Sequence, residues 1–504
     1  MPLLPPKHVA EVYDLAIIGG GINGAGIAAD AAGRGLSVFL CEQHDLASHT
    51  SSASSKLIHG GLRYLEHYEF RLVRESLAER EVLLSKAPHI VHPLRFVLPH
   101  RPHLRPAWMI RAGLFLYDHL GKRRTLKGSR AVQLDAAAFR PGIRHGFEYS
   151  DCWVDDARLV VLNALDAHQR GAHIHTRSRC ISARRSKGLW HLHMERSDGT
   201  RYSTRAKALV NAAGPWVQRF LQDGLKQPSP YGVRLIQGSH IIVPRKQNAE
   251  HAYILQNEDR RIVFVIPYQG RYSLIGTTDR EYHGDPAQVA ITEEEVGYLI
   301  EVYNAHFAQS LSREDILHSF SGVRPLCDDE SADPSAVTRD YTLSLAGAPG
   351  EPPLLSVFGG KLTTYRKLAE SAMTLLAPYF PKQSGPWTAD RALPGAQRIA
   401  DPAAVGQALR AQAPWLPDEL IQRWQTSYGD RALDIIASAT DLTALGEHFG
   451  AHLYEAEVRY LIRSEWACSA EDILWRRSKL GLALSAEQIR RLNRYMDELL
   501  VPPY

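Results

Sequence analysis

Three glycines near the start of the chain form a pattern that can bind phosphate. Gly19, Gly21 and Gly24 give GxGxxG directly after the apolar run 15–18 and directly before the alanine-rich stretch 22–32. The first glycine permits a tight turn, the second lets a pyrophosphate approach the backbone, and the third lets helix and strand pack closely. Free N–H groups at the helix start favour the phosphates. The pattern predicts a dinucleotide site, and its alternative is a glycine-rich turn without a ligand.

An acidic residue follows at the position that such a site requires. Residues 15–18, 22–32 and 38–41 read as strand, helix and strand, and Glu42 ends the second strand 18 positions beyond Gly24. Its carboxylate can accept hydrogen bonds from an adenosine ribose. This local motif does not distinguish FAD from NAD.

Two further segments favour the flavin nucleotide. Residues 51–56, SSASSK, form a hydroxyl-rich loop that can donate hydrogen bonds to phosphate and flavin edges, although a solvated loop has the same composition. Gly359-Gly360 lies between a buried strand and a helix, whose N-terminus can stabilise negative charge on a reduced flavin. An ordinary strand-to-helix corner is the alternative there. An NAD enzyme would leave both segments without a role.

These segments, in this order, resemble the FAD-dependent glycerol-3-phosphate dehydrogenases of the aerobic, respiratory type over nearly the whole chain. The most specific motifs are HGGLRYLE at 59–66, GVRPL at 322–326 and FGGKLTTYR at 358–366. The resemblance implies an α/β fold with a doubly wound, Rossmann-like FAD-binding domain of the glycine/D-amino-acid oxidase type. A β-rich substrate domain and a C-terminal helical domain complete it.

The resemblance also predicts the domain boundaries and the cofactor contacts. The oxidoreductase region is expected at 10–385, with FAD-binding segments at about 12–90, 150–225 and 340–380, β-rich segments at about 91–149 and 226–339, and a helical domain at 390–504. The predicted FAD contacts are Gly19, Gly20, Gly21, Asn23, Gly24, Glu42, Ser52, Ser54, Ser55, Lys56, His59, Gly60, Gly61, Ala213, Gly214, Gly359, Gly360, Lys361, Leu362 and Thr363.

The implied reaction oxidises sn-glycerol 3-phosphate to dihydroxyacetone phosphate by hydride transfer from C2 to flavin N5, and a membrane quinone receives the electrons. A phosphorylated polyol carries about two negative charges, so its pocket needs fixed cations. By resemblance, Arg63 and Arg324 occupy substrate-contacting positions. Tyr64 can add a phenolic hydrogen bond, and Lys361 can reach both flavin and substrate. Without the family, each of these residues could be an ordinary solvated side chain.

The C2 hydroxyl proton needs a base, and His240 in GSHIIVP is the first choice because the ordinary pKa of histidine lies near operating pH. With Arg324 and Lys361 it makes up the predicted catalytic set. His59 is a competitor that we expect to pack near the flavin. Thr278 and Asp279 are expected either to orient the site or to form a turn.

Residues 101–128 combine cations with apolar and aromatic side chains, which is typical of a segment in a lipid headgroup layer. The alternative is a core helix with a basic rim. The basic residues are Arg101, Arg105, Arg111, Lys122, Arg123, Arg124 and Lys127, and the apolar ones are Trp108, Met109, Ile110, Leu114, Phe115, Leu116 and Tyr117.

Composition excludes several classes of protein. A formal charge of +4 is too mild for a nucleic-acid partner. Five cysteines without a CxxC spacing argue against a disulfide framework and a zinc site, and no metal is expected. We find neither a signal peptide nor a membrane-spanning run, so the expected location is cytoplasmic, peripheral to the inner face of the cytoplasmic membrane. The competing functions are a related flavin oxidase that passes electrons from an amine or amino acid to oxygen, and a flavin-binding scaffold without turnover. The sequence does not decide whether the protein forms a homodimer.

Overall fold

Two large sheets and a set of helices account for most of the chain in the computed structural model, which describes residues 12–62, 65, 69–101, 103–121, 123–247, 250–259, 261–328 and 340–500. The helices and strands are, in chain order, β1 (Tyr13–Ile18), α1 (Ile22–Gly33), β2 (Val38–Cys41), β3 (Leu57–Ile58), α2 (Phe70–Lys86), β4 (Val91–Pro99), α3 (Ala107–His119), β5 (Arg130–Gln133), β6 (His145–Val154), α4 (Asp156–Gln169), β7 (His173–His175), β8 (Ser178–Ser186), β9 (Leu189–Arg196), β10 (Arg201–Asn211), α5 (Val217–Arg219), β11 (Val233–Pro244), β12 (Ala252–Gln256), β13 (Ile262–Tyr268), β14 (Tyr272–Gly276), β15 (Arg280–Glu281), α6 (Glu293–Asn304), β16 (His318–Cys327), β17 (Tyr341–Ala346), β18 (Leu354–Gly359), α7 (Tyr365–Leu376), α8 (Pro402–Gln412), α9 (Asp418–Ser427), α10 (Ala432–Ile436), β19 (His448–Gly450), β20 (Leu453–Tyr454), α11 (Glu455–Glu465) and α12 (Ala486–Leu500).

The first sheet has the order β17-β18-β10-β1-β2-β7, with β8 and β9 added beside β10. Its central strands β18, β10, β1 and β2 run parallel to one another. Strands β1 and β2 read as continuous apolar runs because both faces of a parallel sheet are covered. Helix α1 packs against α4 and α7 beside this sheet. The carboxyl ends of the central strands therefore meet at one edge, where ligands of such sheets bind.

The second sheet has the order β15-β11-β14-β13-β12-β4-β6-β3, with β16 beside β11. Most of its pairs are antiparallel, and side chains alternate between its two faces. Ile241 and Val243 pack with Leu299 of α6 on one face. Ile242 and Phe264 belong to a different apolar cluster on the other face. That second face is turned toward the edge of the first sheet.

The C-terminal helices have an apolar core of their own and attach to the first sheet's domain through buried ion pairs. Arg477 lies 2.9 Å from Asp45, and both side chains are at most 1% exposed. Arg158 of α4 pairs with Glu465 of α11. Breaking a buried pair on one side leaves an uncompensated charge, so these contacts fix how the two units dock.

Helices α2 and α3 lie between strands of the second sheet, α2 between β3 and β4 and α3 between β4 and β5. Helix α2 begins at Phe70, and residues 66–68 before it lie outside the described part of the chain. Helix α3 buries Ile110, Leu114 and Tyr117. The described helices include none that is long and apolar enough to span a bilayer. The five cysteines are all unpaired.

Candidate active site

The first glycine turn joins β1 to α1 and has the geometry that its glycines predict. Gly19 has a φ of 111°, and a Cβ on it would lie 2.3 Å from the carbonyl oxygen of Ala212. A Cβ on Gly24 would lie 1.9 Å from the carbonyl oxygen of Gly19. No side chain fits at either position unless the backbone moves. In contrast, a Cβ on Gly21 would meet only Ser51 Oγ, at 3.1 Å, so the turn is open where a ligand would approach.

The start of α1 offers hydrogen-bond donors to a ligand. Its N-cap residue, Gly21, supplies no side-chain cap, and among the described residues a side chain bonds only Ile22 N, at 3.0 Å from Ser51 Oγ. Glu42 accepts hydrogen bonds from the backbone N–H groups of Gly20 (2.7 Å) and His44 (2.9 Å). Burial raises the pKa of Glu42 above its usual value. These two bonds fix the carboxylate at the end of β2.

The second glycine turn, after β18, lies against the first. Asn23 Nδ2 donates to the carbonyl oxygen of Gly359 at 3.1 Å, across 336 positions of sequence. Gly359 and Gly360 have φ values of 72° and 100°, in the left-handed region that favours glycine. The two turns predicted separately from the sequence thus form one edge of one site.

A cavity of about 850 Å³ runs from these turns to the second sheet. Its lining contains most of the predicted cofactor contacts and three predicted substrate or catalytic residues. The lining includes Gly19, Gly21, Asn23, Glu42, Ser54, Ser55, His59, Gly61, Ala213, Gly214, His240, Arg324, Gly359, Gly360, Lys361, Leu362 and Thr363.

Five predicted cofactor contacts do not line this cavity: Gly20, Gly24, Ser52, Lys56 and Gly60. Lys56 is 3% exposed, and its Nζ lies 2.8 Å from an Asp156 carboxylate oxygen. A buried lysine needs such a partner, so its side chain anchors the serine loop rather than reaching a ligand. Gly20 and Gly60 contribute through their backbone N–H groups. Gly20 N donates a hydrogen bond to Glu42, and Gly60 N donates one to Tyr117 Oη at 2.8 Å. The predicted residues Arg63 and Tyr64 lie outside the described chain.

Arg324 on β16 is held by the turn that follows β14. Its guanidinium donates to the carbonyl oxygen of Thr278 at 2.8 Å and pairs with Asp279 at 2.9 Å. The side chain keeps 24% of its surface exposed toward the cavity side of the sheet. Thr278 and Asp279, for which the sequence left two roles open, therefore orient this arginine.

Glu295 supports the site without lining the cavity, and the sequence-based reasoning missed it. It is 5% exposed and accepts hydrogen bonds from Ser239 Oγ (2.8 Å), Thr278 Oγ1 (2.5 Å) and Gln237 Nε2 (2.8 Å). It thereby joins β11 to the turn that holds Arg324. A local signal existed, because Thr292 and Glu295 form the capping box of α6.

His240 lies on the cavity face of β11, between two strands. Its ring stacks on Phe320 with centroids 5.0 Å apart, and a Cβ on Gly276 would lie 2.2 Å from its Cδ2 atom. Nε2 is 2.9 Å from Ser55 Oγ, whereas Nδ1 has no hydrogen-bond partner among the described residues. Burial, helped by the charges of Lys56 and Arg324, lowers the pKa of His240 to about 3. The imidazole is therefore neutral at physiological pH but a weak base in the free protein. The reason for which the sequence favoured it, an ordinary pKa near operating pH, does not hold at this buried position.

The competing histidine, His59, also lines the cavity. Its ring meets that of Phe264 edge-on at 6.4 Å, and its backbone N–H donates to Thr363 Oγ1 at 3.3 Å. It thus packs between the second glycine turn and the second sheet. Because it bridges both walls, we expect it to contact the cofactor rather than the substrate.

The described residues fit FAD. The open turn at Gly21, the uncapped start of α1 and the fixed Glu42 carboxylate match a pyrophosphate and a ribose. The second glycine turn and His59 are placed to hold the isoalloxazine end. Fold and site together define a flavin-dependent oxidoreductase.

Comparisons with known proteins agree with this class and make it more specific. Residues 14–366 match the family of FAD-dependent oxidoreductases, and residues 386–500 match the C-terminal domain of alpha-glycerophosphate oxidase. The chain is 69% identical to a glycerol-3-phosphate dehydrogenase of Pseudomonas aeruginosa, covering 98% of this chain and 96% of the relative. It is 58% identical to the aerobic glycerol-3-phosphate dehydrogenase of Escherichia coli, covering 97% and 98%. A D-erythritol 1-phosphate dehydrogenase of Brucella abortus is 53% identical, again covering 97% and 98%. The chain belongs to the FAD-dependent glycerol-3-phosphate dehydrogenase family.

Solved structures confirm the predicted fold class and cofactor. A glycerol-3-phosphate dehydrogenase from Bacillus halodurans, complexed with FAD, superposes with a TM-score of 0.77 at 26% identity, covering 97% of this chain and 91% of that one. A glycine oxidase from Geobacillus kaustophilus shares the fold, with a TM-score of 0.55 at 17% identity over 76% of this chain and 99% of that one. The protein is an α/β enzyme of the expected type that uses FAD.

Proposed function

We propose that this enzyme oxidises sn-glycerol 3-phosphate to dihydroxyacetone phosphate. The observation that carries the proposal is the fixed guanidinium of Arg324, which lines the same cavity as His240 and Lys361 next to the FAD-binding turns. A cation that is already positioned suits a phosphate group. Relatives named for glycerol 3-phosphate and for D-erythritol 1-phosphate share a phosphorylated polyol as substrate class.

In this proposal each residue acts on a stated part of the substrate. Arg324 and Lys361 bind the phosphate and orient the polyol. FAD held by the two glycine turns would supply the hydride acceptor for C2. His240, which burial keeps neutral, takes the hydroxyl proton at C2. The phosphate's negative charge opposes the effect of Lys56 and Arg324 on His240, while burial, the larger cause of the low pKa of this histidine, remains.

The direct test is anaerobic mixing of the purified holoenzyme with sn-glycerol 3-phosphate, followed through the flavin absorbance near ~450 nm. We expect the flavin absorbance to be bleached within the time of one catalytic turnover. D-erythritol 1-phosphate is the second substrate to mix, and faster bleaching with it would move the assignment to the longer polyol. A yellow enzyme that neither compound bleaches would refute the substrate class.

The alternative is a flavin oxidase that acts on an amine or amino acid with oxygen. The cationic groups Arg324 and Lys361 at the cavity favour phosphate instead. Release of hydrogen peroxide with an amine substrate, without turnover of a phosphorylated polyol, would favour the alternative.

We infer that the electrons pass to a membrane quinone at the inner face of the cytoplasmic membrane, and helix α3 supports this. Trp108 is 70% exposed and Phe115 is 66% exposed, with Met109 and Leu116 exposed beside them. These side chains lie opposite the buried face of α3, which argues against a helix enclosed in the core. The neighbouring described cations Arg101, Arg105, Arg111, Arg123, Arg124 and Lys127 suit anionic headgroups; Lys122 lies outside the described residues.

Flotation with anionic vesicles tests the membrane contact. We expect the double variant Trp108→Ser/Phe115→Ser to float less than wild type, because the variant loses the apolar area that enters the headgroup layer. Leu317→Ser is the matched control, since Leu317 is 50% exposed and lies outside α3. Equal flotation of both variants, or a wild type that stays unbound at low salt, would contradict the inferred contact.

A further inference from the structure

Segment 475–482 of the C-terminal domain reaches the face of the second sheet that carries His240. Trp475 stacks on His318 of β16, with ring centroids 4.1 Å apart and an angle of 16° between the ring planes. Leu482 packs against the apolar cluster on the same face. The C-terminal domain therefore contacts the second sheet as well as the first sheet's domain.

The contact at Trp475 lies next to the contact that covers His240. His318 and Phe320 are two residues apart on β16, and side chains two residues apart on a strand share a face of the sheet. Strand register sets Phe320 beside His240 on β11, and the two rings stack with centroids 5.0 Å apart. The ring pair from the C-terminal domain and the ring pair at His240 are thus neighbours on one strand.

A second connection runs through two consecutive acids at the start of α4. Asp155 lies 3.0 Å from Lys479 Nζ, and Asp156 lies 2.8 Å from Lys56 Nζ. All four side chains are buried. Burial lowers the pKa of Lys479, Asp155 opposes this shift and Lys56 adds to it, so the two lysines lie within electrostatic range of each other. Each buried cation needs an acid, and the two ion pairs are therefore interdependent.

Asp156 fixes the residues on both sides of Ser55. Its carboxylate accepts hydrogen bonds from Ser54 Oγ at 2.7 Å and from Lys56 Nζ at 2.8 Å. Lys56 Nζ also donates to the carbonyl oxygen of Ser52 at 3.0 Å. The conformation of the serine loop around Ser55 therefore depends on the same buried charges that Lys479 joins.

Both connections end at groups that hold the imidazole of His240. Ser55 Oγ lies 2.9 Å from Nε2, and the Phe320 ring covers one face of the imidazole. Lys56 Nζ lies 5.3 Å from the centre of the Phe320 ring, so the charged and the aromatic connection meet there. Nδ1 has no hydrogen-bond partner among the described residues, which leaves the orientation of the ring to Ser55 and to packing.

We propose that segment 475–482 positions His240 for the reaction, Trp475 through His318 and Phe320, and Lys479 through the acids of α4 and the serine loop. Trp475 and Lys479 are positioning residues, because neither lines the cavity. The proposal rests on the proposed function, in which His240 takes the proton at C2. A reacting group must be held within about 0.5 Å of its productive place, so a lost support lowers the rate at saturating substrate rather than the affinity.

Trp475→Leu tests the aromatic connection, because it keeps an apolar side chain and removes the stacked ring. We expect the limiting rate of anaerobic flavin reduction by sn-glycerol 3-phosphate to fall roughly tenfold, since an ångström of misplacement can cost about 10²-fold. The FAD content and the substrate concentration for half-maximal rate should stay at wild-type values. Trp475→Phe keeps a flat ring and should restore most of the rate.

The matched control is Trp415→Leu, which makes the same change against the apolar core of the C-terminal domain. It should lower the unfolding midpoint without changing the rate of flavin reduction. A double variant then shows whether the effect of Trp475 passes through His240. In a His240→Ala background, Trp475→Leu should lower the rate less than about twofold, because no imidazole remains to be positioned. A further tenfold loss in that background would assign Trp475 a structural role only.

Lys479→Met tests the charged connection with a measurement that does not use the substrate. We expect the backbone amides of residues 51–56 to exchange with deuterium roughly tenfold faster, because Asp155 then competes with Asp156 for Lys56 and the loop opens more often. Lys479→Arg keeps the cation and should restore slow exchange. Lys246→Met removes a cation of the second sheet that pairs with Asp315 at 2.9 Å, and this control should leave exchange at 51–56 unchanged.

A wild-type reduction rate in Trp475→Leu, or unchanged exchange in Lys479→Met, would overturn the proposal. If Lys479→Met does not fold, the Trp475 variants decide alone. If neither phosphorylated polyol bleaches the flavin, the proposed function fails and the exchange measurement decides. Faster exchange at 51–56 that is confined to Lys479→Met would then still support the positioning role of the C-terminal domain.

Discussion

Arg324 has a fixed position before substrate binds. Thr278 and Asp279 fix its guanidinium, so little side-chain freedom remains to be lost when a phosphate arrives. We expect Arg324→Met to raise KM and lower kcat/KM by roughly 10- to 100-fold, because a charge-assisted contact is worth about 1.5–3 kcal/mol. Steady-state kinetics with sn-glycerol 3-phosphate measures this effect.

The matched control for that arginine is Arg280→Met. Arg280 lies on the neighbouring β15, is half exposed, and pairs with the exposed Glu294. Surface pairs of this kind contribute little, so its kinetics should match wild type. Unchanged kinetics in Arg324→Met would remove Arg324 from the site.

We predict that His240 accepts a proton during the reaction, so that its loss slows flavin reduction more than it weakens binding. We expect His240→Ala to keep bound FAD but to reduce its flavin ~10²–10⁴ times more slowly in single-turnover mixing, because a positioned base contributes about that factor. Ser55→Ala separates the roles, since it removes only the 2.9 Å contact to Nε2 and leaves the imidazole in place. A normal reduction rate in His240→Ala would eliminate this histidine as the base.

At the scale of elements, a buried network ties α3 to the turn at residues 59–61. Tyr117 Oη accepts from Gly60 N at 2.8 Å and donates to Asp151 at 2.7 Å. Asp151 also accepts from Arg80 at 2.5 Å. His59 and Gly61 line the cofactor cavity on either side of Gly60. The helix with the exposed apolar face is thus bonded directly to the cofactor site.

We expect Tyr117→Phe to weaken FAD binding as well as stability, because the Gly60 N–H and the Asp151 carboxylate both lose a buried partner, at a cost of about 1–3 kcal/mol. Tyr428→Phe makes the same chemical change in the C-terminal domain, where the hydroxyl donates to Glu457 at 2.6 Å. That control should lower the unfolding midpoint without changing the FAD dissociation constant. Equal FAD affinity in both variants would mean that Tyr117 has a structural role only.

At the scale of the whole molecule, buried neutral histidines make stability depend on pH. Burial lowers the pKa of His89 to about 3 and that of His175 to about 4, from 6.5 in the unfolded chain. Between the folded and unfolded pKa values of these histidines, the unfolded chain binds more protons than the folded protein. The free energy of unfolding is therefore highest above pH 6.5 and decreases as the pH is lowered. For His89 alone the loss is about 2 kcal/mol at pH 5.

Urea unfolding between pH 7.5 and 5 measures this dependence. His89→Leu should reduce the slope, because His89 is 3% exposed and neither ring nitrogen has a hydrogen-bond partner among the described residues. An identical pH dependence in the variant and the wild type would contradict the assignment of the slope to this histidine.

The sequence by itself determined the features that local rules control. Gly19 and Gly24 are required by the backbone of a single βαβ unit, so GxGxxG, its helix and Glu42 could be predicted from one short stretch. Strands β1 and β2 were readable as apolar runs for the same reason. The fold class and FAD, which depend on these features and on the motif order, are confirmed.

Only the tertiary structure decided what depends on contacts between distant segments. The SSASSK loop reads as a set of donors, but Asp156, 100 positions away, binds Lys56 and turns it from the cavity. Glu295 binds Gln237 and Ser239 of β11 and Thr278 of the turn after β14. A short stretch of sequence does not reveal a contact between segments this far apart. For α3, the composition fitted a core helix and a lipid-facing helix equally well. The tertiary contacts determine which face of α3 is buried and which is exposed. An amphipathic pattern divides a helix surface into an apolar and a polar side, but it does not determine what covers each side.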